Sequence, residues 1–79
     1  MRVTLYTSEN CGLCEKAEDA LSRARKLIQF ETEVVYIEDI PALLSRYQDR
    51  IPVVVVDGEE VASAPIEEAR LLAVLSSLA

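Results

Sequence analysis

Thr7-Ser8-Glu9-Asn10-Cys11-Gly12-Leu13-Cys14 separates an apolar run from a helical pattern and carries the only two cysteines of the chain. A helix that begins near Cys11 leaves its first backbone N–H groups without intrahelical partners, and these donors, with the helix dipole, favour a thiolate over a thiol. Cys14 follows at i+3, on the same face and one turn deeper. The outer sulfur is thereby suited to attack a disulfide and the inner one to resolve the mixed disulfide that results. The stretch therefore reads as a candidate redox pair at a strand-to-helix junction.

Upstream, Val3-Thr4-Leu5-Tyr6-Thr7 is rich in β-branched and aromatic residues and suits a central strand covered on both faces. Downstream, Leu13, Ala17, Ala20, Leu21, Ala24, Leu27 and Ile28 recur at spacings of three and four, which predicts an amphipathic helix of about four turns. Its acidic residues come early and its basic ones late, as the helix dipole prefers. Glu33-Val34-Val35-Tyr36-Ile37 reads as a second strand, parallel to the first through a right-handed crossover. Asp39 is the expected N-cap of a short helix over Ile40 to Tyr47, with Pro41 in its first turn and Leu43, Leu44 and Tyr47 as apolar contacts.

Ile51-Pro52-Val53-Val54-Val55-Val56 is a buried strand with proline near its start, and Asp57-Gly58 is a two-residue hairpin signal before Glu60-Val61-Ala62. Ser63 is the expected cap of a last helix, with Pro65 near its start and Ile66, Ala69, Leu72, Leu75 and Leu78 available to the core. The stripe Leu71, Val74, Leu75 and Leu78 is expected to pack on the sheet rather than on a second copy, so a monomer is expected. No repeat, low-complexity tract or linker interrupts residues 1–79, which read as a single domain.

A chain of 79 residues needs an efficient core, because a domain this small buries only a little over roughly 60% of its unfolded surface. Fourteen acidic against eight basic side chains give a formal charge of -6, which repels phosphate-rich partners and leaves no basic stripe for nucleic acid. No apolar stretch reaches the length of a membrane helix, and Met1-Arg2-Val3-Thr4-Leu5 runs into a strand rather than a signal peptide. A cytoplasmic location is the expectation, and Cys-x-x-Cys beside a β–α pattern in a reducing compartment reads as redox-active. The absence of histidine excludes Cys–His catalysis and His-ligated metal. Any acid or base must then be a carboxylate, Lys16, a tyrosine, water or backbone.

The order β–α–β–α–β–β–α, with Cys-x-x-Cys after the first strand and proline opening the third, resembles the thioredoxin fold of the glutaredoxin-like kind over the whole chain. It looks most like small bacterial glutaredoxin-like proteins, because Cys11-Gly12-Leu13-Cys14-Glu15-Lys16-Ala17 is similar to a glutaredoxin Cys-x-x-Cys helix start. The resemblance implies an α/β architecture: a four-stranded mixed sheet with the first and last helices on one face and the second on the other. It also implies a cis Ile51–Pro52 bond that leaves the Ile51 N–H and C=O free to pair with an extended substrate.

Several positions depart from the family pattern. Gly12 and Leu13 replace Pro-Tyr between the cysteines; Gly12 admits a close backbone approach and Leu13 offers an apolar contact in place of a hydroxyl. Ser8 stands where glutaredoxins carry Lys or Arg. Arg50, two residues before the proline, is a candidate to compensate, by stabilising the thiolate or binding a substrate carboxylate. The Gly-Gly-x-x-Asp signature that seats glutathione is absent from Ala62-Ser63-Ala64-Pro65-Ile66-Glu67, where Ser63 and backbone N–H groups remain as anion ligands. Glu9 and Glu15 flank the cysteines and act against a thiolate and against acidic substrates.

The expectation is a dithiol–disulfide oxidoreductase in which Cys11 is the nucleophile, Cys14 the resolving thiol, and Gly12, Leu13, Arg50, Ile51, Pro52 and Ser63 the substrate contacts. No bound cofactor is needed beyond the Cys11–Cys14 couple, with glutathione as a co-substrate candidate. Its partners are a disulfide-containing protein or glutathione, with a thioredoxin-reductase-type flavoprotein as the other candidate donor, and neither nucleic acid nor membrane. Two alternatives stay open from the residues alone. One is a non-enzymatic binding module, or a dimer bridged at Cys11 by a metal or iron–sulfur cluster; the other is a thioredoxin-like domain with an inert pair.

Overall fold

The computed structural model describes residues 1–79. β1 (Arg2–Thr7) lies inside the sheet, parallel to β2 (Glu31–Tyr36) on one side and antiparallel to β3 (Val53–Val56) on the other. β4 (Glu59–Ser63) pairs antiparallel with β3, so the strand order is β2-β1-β3-β4. Asp57 and Gly58 join β3 to β4 with φ of 49° and 89°, the two left-handed positions that a tight hairpin requires and that an Asp-Gly pair supplies. The turn also holds the first strand: the Asp57 carboxylate accepts from the Arg2 N–H at 3.0 Å, and the Asp57 N–H donates to the Arg2 carbonyl at 3.0 Å.

Three helices cover the sheet: α1 (Gly12–Ala24), α2 (Pro41–Tyr47) and α3 (Glu68–Leu78). Period-two alternation in β1 and β3 sends Val3, Leu5, Val54 and Val56 to one face, where Ala17, Ala20, Leu21 and Ala24 of α1 and Leu71 and Leu75 of α3 close over them. Val53 and Val55 point the other way, against Tyr47 of α2 and Ile37. Tyr6 joins that second layer by stacking on Tyr47, with ring centroids 4.7 Å apart. The α/β architecture, mixed sheet and division of helices between faces are those expected. No helix is long and apolar enough to cross a membrane.

Boundaries differ from the sequence reading in several places, and β3 begins at Val53 rather than at Ile51. α1 stops at Ala24, because Lys26, Leu27 and Ile28 tighten into turns on the Arg23 and Ala24 carbonyls, which swings Phe30 into the core and delivers Glu31 to the Met1 carbonyl. Leu27 is consequently 75% exposed rather than part of the apolar face. β2 begins at Glu31 and ends at Tyr36, and Ile37–Asp39 form a 3-10 turn, so Asp39 is not a cap; Ile40 precedes α2 and contributes no side-chain bond. Ser63 is the last residue of β4, not a helix cap. α3 starts only at Glu68 because Ala64–Ile66, with a cis Ala64–Pro65 bond, carry the chain from the sheet edge. On α3 the buried positions are Leu71 and Leu75, both in the expected stripe, while Ala69 and Leu78 are exposed.

Candidate redox site

β1 is a central strand, and the loop that leaves it must turn sharply to lay α1 back over the sheet. Asn10 makes that turn at φ 56°, a left-handed position that asparagine tolerates better than most residues. Cys11 follows as the N-cap of α1, in extended conformation, and its Sγ accepts the Cys14 N–H at 3.2 Å while its carbonyl accepts the Glu15 N–H at 3.1 Å. A thiolate at this position meets the same amide, an otherwise unpaired donor of the first turn, and the positive end of the helix dipole.

Cys11 and Cys14 are joined in a disulfide with Cα atoms 5.2 Å apart, within the usual range for such a bridge. The two sulfurs belong to unlike environments. Cys14 is 2% exposed, whereas Cys11 is half-buried and lines an open depression. Between them Gly12 has no neighbouring atom within 4 Å of the space a Cβ would fill, and Leu13 is 57% exposed. Nothing in the chain itself therefore requires glycine at 12, and Leu13 presents an exposed apolar side chain between the two cysteines.

The β1–β3 register decides what else reaches this end of the sheet. Tyr6 pairs with Val53, so Ile51-Pro52 extends beyond the ladder next to the end of β1, and Ser63 pairs with Val53 from the far side. The Ile51–Pro52 bond is cis, as expected, and Pro52 is fully buried. The Ile51 backbone departs from expectation: its N–H donates to the Tyr47 carbonyl at 3.1 Å, the last turn of α2 continuing into the loop. The neighbouring Arg50 carbonyl accepts from Ala64 N–H at 3.1 Å. Ile51 thus has its carbonyl, and not its N–H, left for a visitor.

Arg50 is turned toward β4. Its guanidinium reaches Glu60 at 2.6 Å and lies 5.3 Å from the Tyr47 ring centre, and the Glu60 hydrogen bond raises its pKa further above the ordinary value. It makes no contact with either sulfur. Ser63, two strands away from β1, lines a groove between β4 and the start of α3 together with Pro65, Ile66 and Glu67.

A carboxylate outside the motif organises the loop ahead of Cys11. Glu38, in the 3-10 turn after β2, accepts from the Glu9 N–H at 2.9 Å and from Ser8 Oγ at 3.0 Å. The Glu9 amide, then its own backbone N–H, and less strongly the Ser8 hydroxyl hold Glu38 below the usual carboxylate range. Sequence reasoning misses this residue, because the contact spans about thirty positions and only the β1–β2 pairing brings it in. Glu9, Glu15, Glu18 and Tyr36 share the depression with Cys11, and no Lys or Arg lines it.

A family model described as glutaredoxin-like domain matches residues 2–76. The crystal structure of XcR50, a structural-genomics target from X. campestris, is 38% identical, with 95% of this chain and 96% of that one covered and a TM-score of 0.77. The solution structure of protein Ne2328 from Nitrosomonas europaea is 29% identical over 94% of this chain and 89% of that one, with a TM-score of 0.79. Thioredoxin 1 from Thermosipho africanus, 12% identical with 99% of this chain and 93% of that one covered, has the same fold at a TM-score of 0.75. No curated protein matches the sequence.

Proposed function

The chain belongs to the glutaredoxin-like domain family, and from that premise we propose that it is a dithiol–disulfide oxidoreductase working through Cys11 and Cys14. The observation that carries the reading is the asymmetry of the pair: an accessible sulfur that caps a helix and accepts an amide N–H, linked to a sealed partner one turn away. Accessibility and nearby donors are what a nucleophilic sulfur needs, and shielding keeps the second thiol from competing for substrate.

In the reduced protein the Cys11 thiolate attacks one sulfur of a substrate disulfide. That bond breaks, one half leaves as a thiolate that takes a proton from water, and a mixed disulfide with Cys11 remains. Cys14 loses its proton to solvent and attacks the Cys11 sulfur, the second half leaves as a thiol, and the Cys11–Cys14 disulfide forms. Two electrons pass to the substrate. A dithiol donor, two glutathione molecules or a flavoprotein reductase, returns them. No resident cofactor takes part in this sequence.

Leu13 and the Ile51 carbonyl are the contacts this reading assigns to the substrate near the disulfide, with Pro52 shaping the wall and Gly12 leaving room. Ser63 stands farther out as an anion ligand. The test is Cys14→Ser, reduced and incubated with a peptide disulfide. A covalent adduct on Cys11, seen by intact mass and released by dithiothreitol, is expected, and Cys11→Ser should form none. A Cys14→Ser protein that stays unmodified while free thiols of ordinary pKa react would remove the reading.

A further inference from the structure

The surface that meets an incoming substrate is acidic in a way the redox motif does not require. The depression at the Cys11 sulfur is walled by Glu9, Glu15 and Glu18, and Tyr36, 43% exposed, connects it to a second hollow bounded by Glu38 and Asp39. Neither hollow has a basic lining residue. Three of the eight basic side chains are paired with other carboxylates, Arg2 with Glu31 and Glu33, Arg23 with Glu68, and Arg50 with Glu60, and Lys16, on α1 between Glu15 and Glu18, lines neither hollow. Nor do the carboxylates converge on a cation, since no group of three or more is close enough to hold a metal ion. They form a dispersed negative wall around a reactive sulfur, with an aromatic ring in its middle.

We propose that this wall selects the substrate: Cys11 reacts preferentially with disulfides on basic protein segments, whose Lys or Arg side chains lie against Glu9, Glu15 and Glu18 and across the face of Tyr36. The inference rests on the oxidoreductase reading and adds to it the charge of the substrate. Opposite charge concentrates a partner at a concave acidic surface and speeds encounter, while an anionic disulfide such as oxidised glutathione meets repulsion from three carboxylates and from the net charge of -6. A cationic side chain over a half-exposed tyrosine gains a further attraction from the ring.

The experiment uses the full chain, reduced, and three peptide disulfides that are alike except that the cysteine is flanked by two Lys, two Gln or two Glu residues. Oxidation of the protein is followed by stopped flow, and each rate is divided by that of β-mercaptoethanol with the same peptide, which removes intrinsic reactivity. At about 0.01 M salt the normalised rate should favour the Lys peptide over the Glu peptide by about tenfold or more, and near 1 M salt the preference should collapse. Replacing Glu9, Glu15 and Glu18 together by Gln should reduce the Lys-to-Glu ratio severalfold. Ratios near one at low salt overturn the inference, and so does a ratio that the triple variant leaves unchanged. If the triple variant does not fold, the wild-type salt series decides alone. A protein that none of the three peptides oxidises overturns the oxidoreductase reading itself, which is a different result.

Discussion

At Glu38 one carboxylate serves two donors from the loop that precedes Cys11, and its contribution depends on pH with a definite sign. Its folded pKa lies below the ordinary 4.5, so the tie is fully present above that value and is lost as the pH falls through the lower, folded one. Amide exchange at Glu9, corrected for intrinsic chemistry and compared with β1, should accelerate across that window and not above it. Glu38→Ala should abolish the protection at neutral pH and Glu38→Gln, which keeps an acceptor, should retain part of it; equal protection in all three proteins would argue against the tie. Residue-scale legibility divides along sequence distance. Cys11, Cys14 and Gly58 act through their own backbone neighbourhood, so their sequence context speaks for them. Glu38 and the pairing of Arg50 with Glu60 depend on which strands become neighbours.

Helices and turns were legible by pattern and blurred at their ends. The β-branched apolar runs of β1 and β3, the alanine-rich stripe of α1 and the Asp57-Gly58 turn are each local signals that the packing respects. The start of α3 is not local: the chain must first clear the edge of β4, and of the stripe expected to pack on the sheet Leu71 and Leu75 are buried while Leu78 is not. The two leucines near the C-terminus therefore behave differently. Leu75→Ala, at a fully buried position, should cost about 2–5 kcal/mol in urea unfolding, whereas Leu78→Ala, at a position 49% exposed, should stay within about 0.5 kcal/mol. Similar losses at both would put the helix in the wrong rotation. At the hairpin, Gly58→Ala keeps ample space but forces a Cβ into φ 89°, and a loss of about 1 kcal/mol is expected from thermal melts. Arg23 and Glu68 join the end of α1 to the start of α3 by two hydrogen bonds, yet both are about half exposed. Arg23→Ala should lower stability only slightly in urea unfolding, and less still in high salt.

For the whole molecule, the excess of acid bears on an edge of the sheet as well as on the substrate charge proposed above. β2 is an edge strand with Val34 and Tyr36 partly exposed, and such an edge invites pairing with another chain. Glu31 and Glu33 stand on it, with only Arg2 opposite to offset their charge. Replacing both glutamates by Val should promote self-association, measured by sedimentation at rising concentration, while the wild type should not follow that trend. The other edge is irregular: the β3–β4 ladder shifts register between Val54 and Val55, a local kink that also discourages continuation. Net charge and the absence of a basic stripe were plain from composition. Where that charge gathers was not, because it takes the β1–β2 pairing to bring Tyr36, at the end of β2, beside Glu15 and Glu18, and Glu38, in the turn that follows, beside Glu9.

The hydrogen bond from the Ile51 amide to Tyr47 leaves a guest polypeptide a single main-chain foothold where two are expected. One such tether sets neither the direction nor the alignment of the guest. On the proposed oxidoreductase reading, grip and orientation would therefore come from side chains, and discrimination among partners would rest on what flanks their sulfurs.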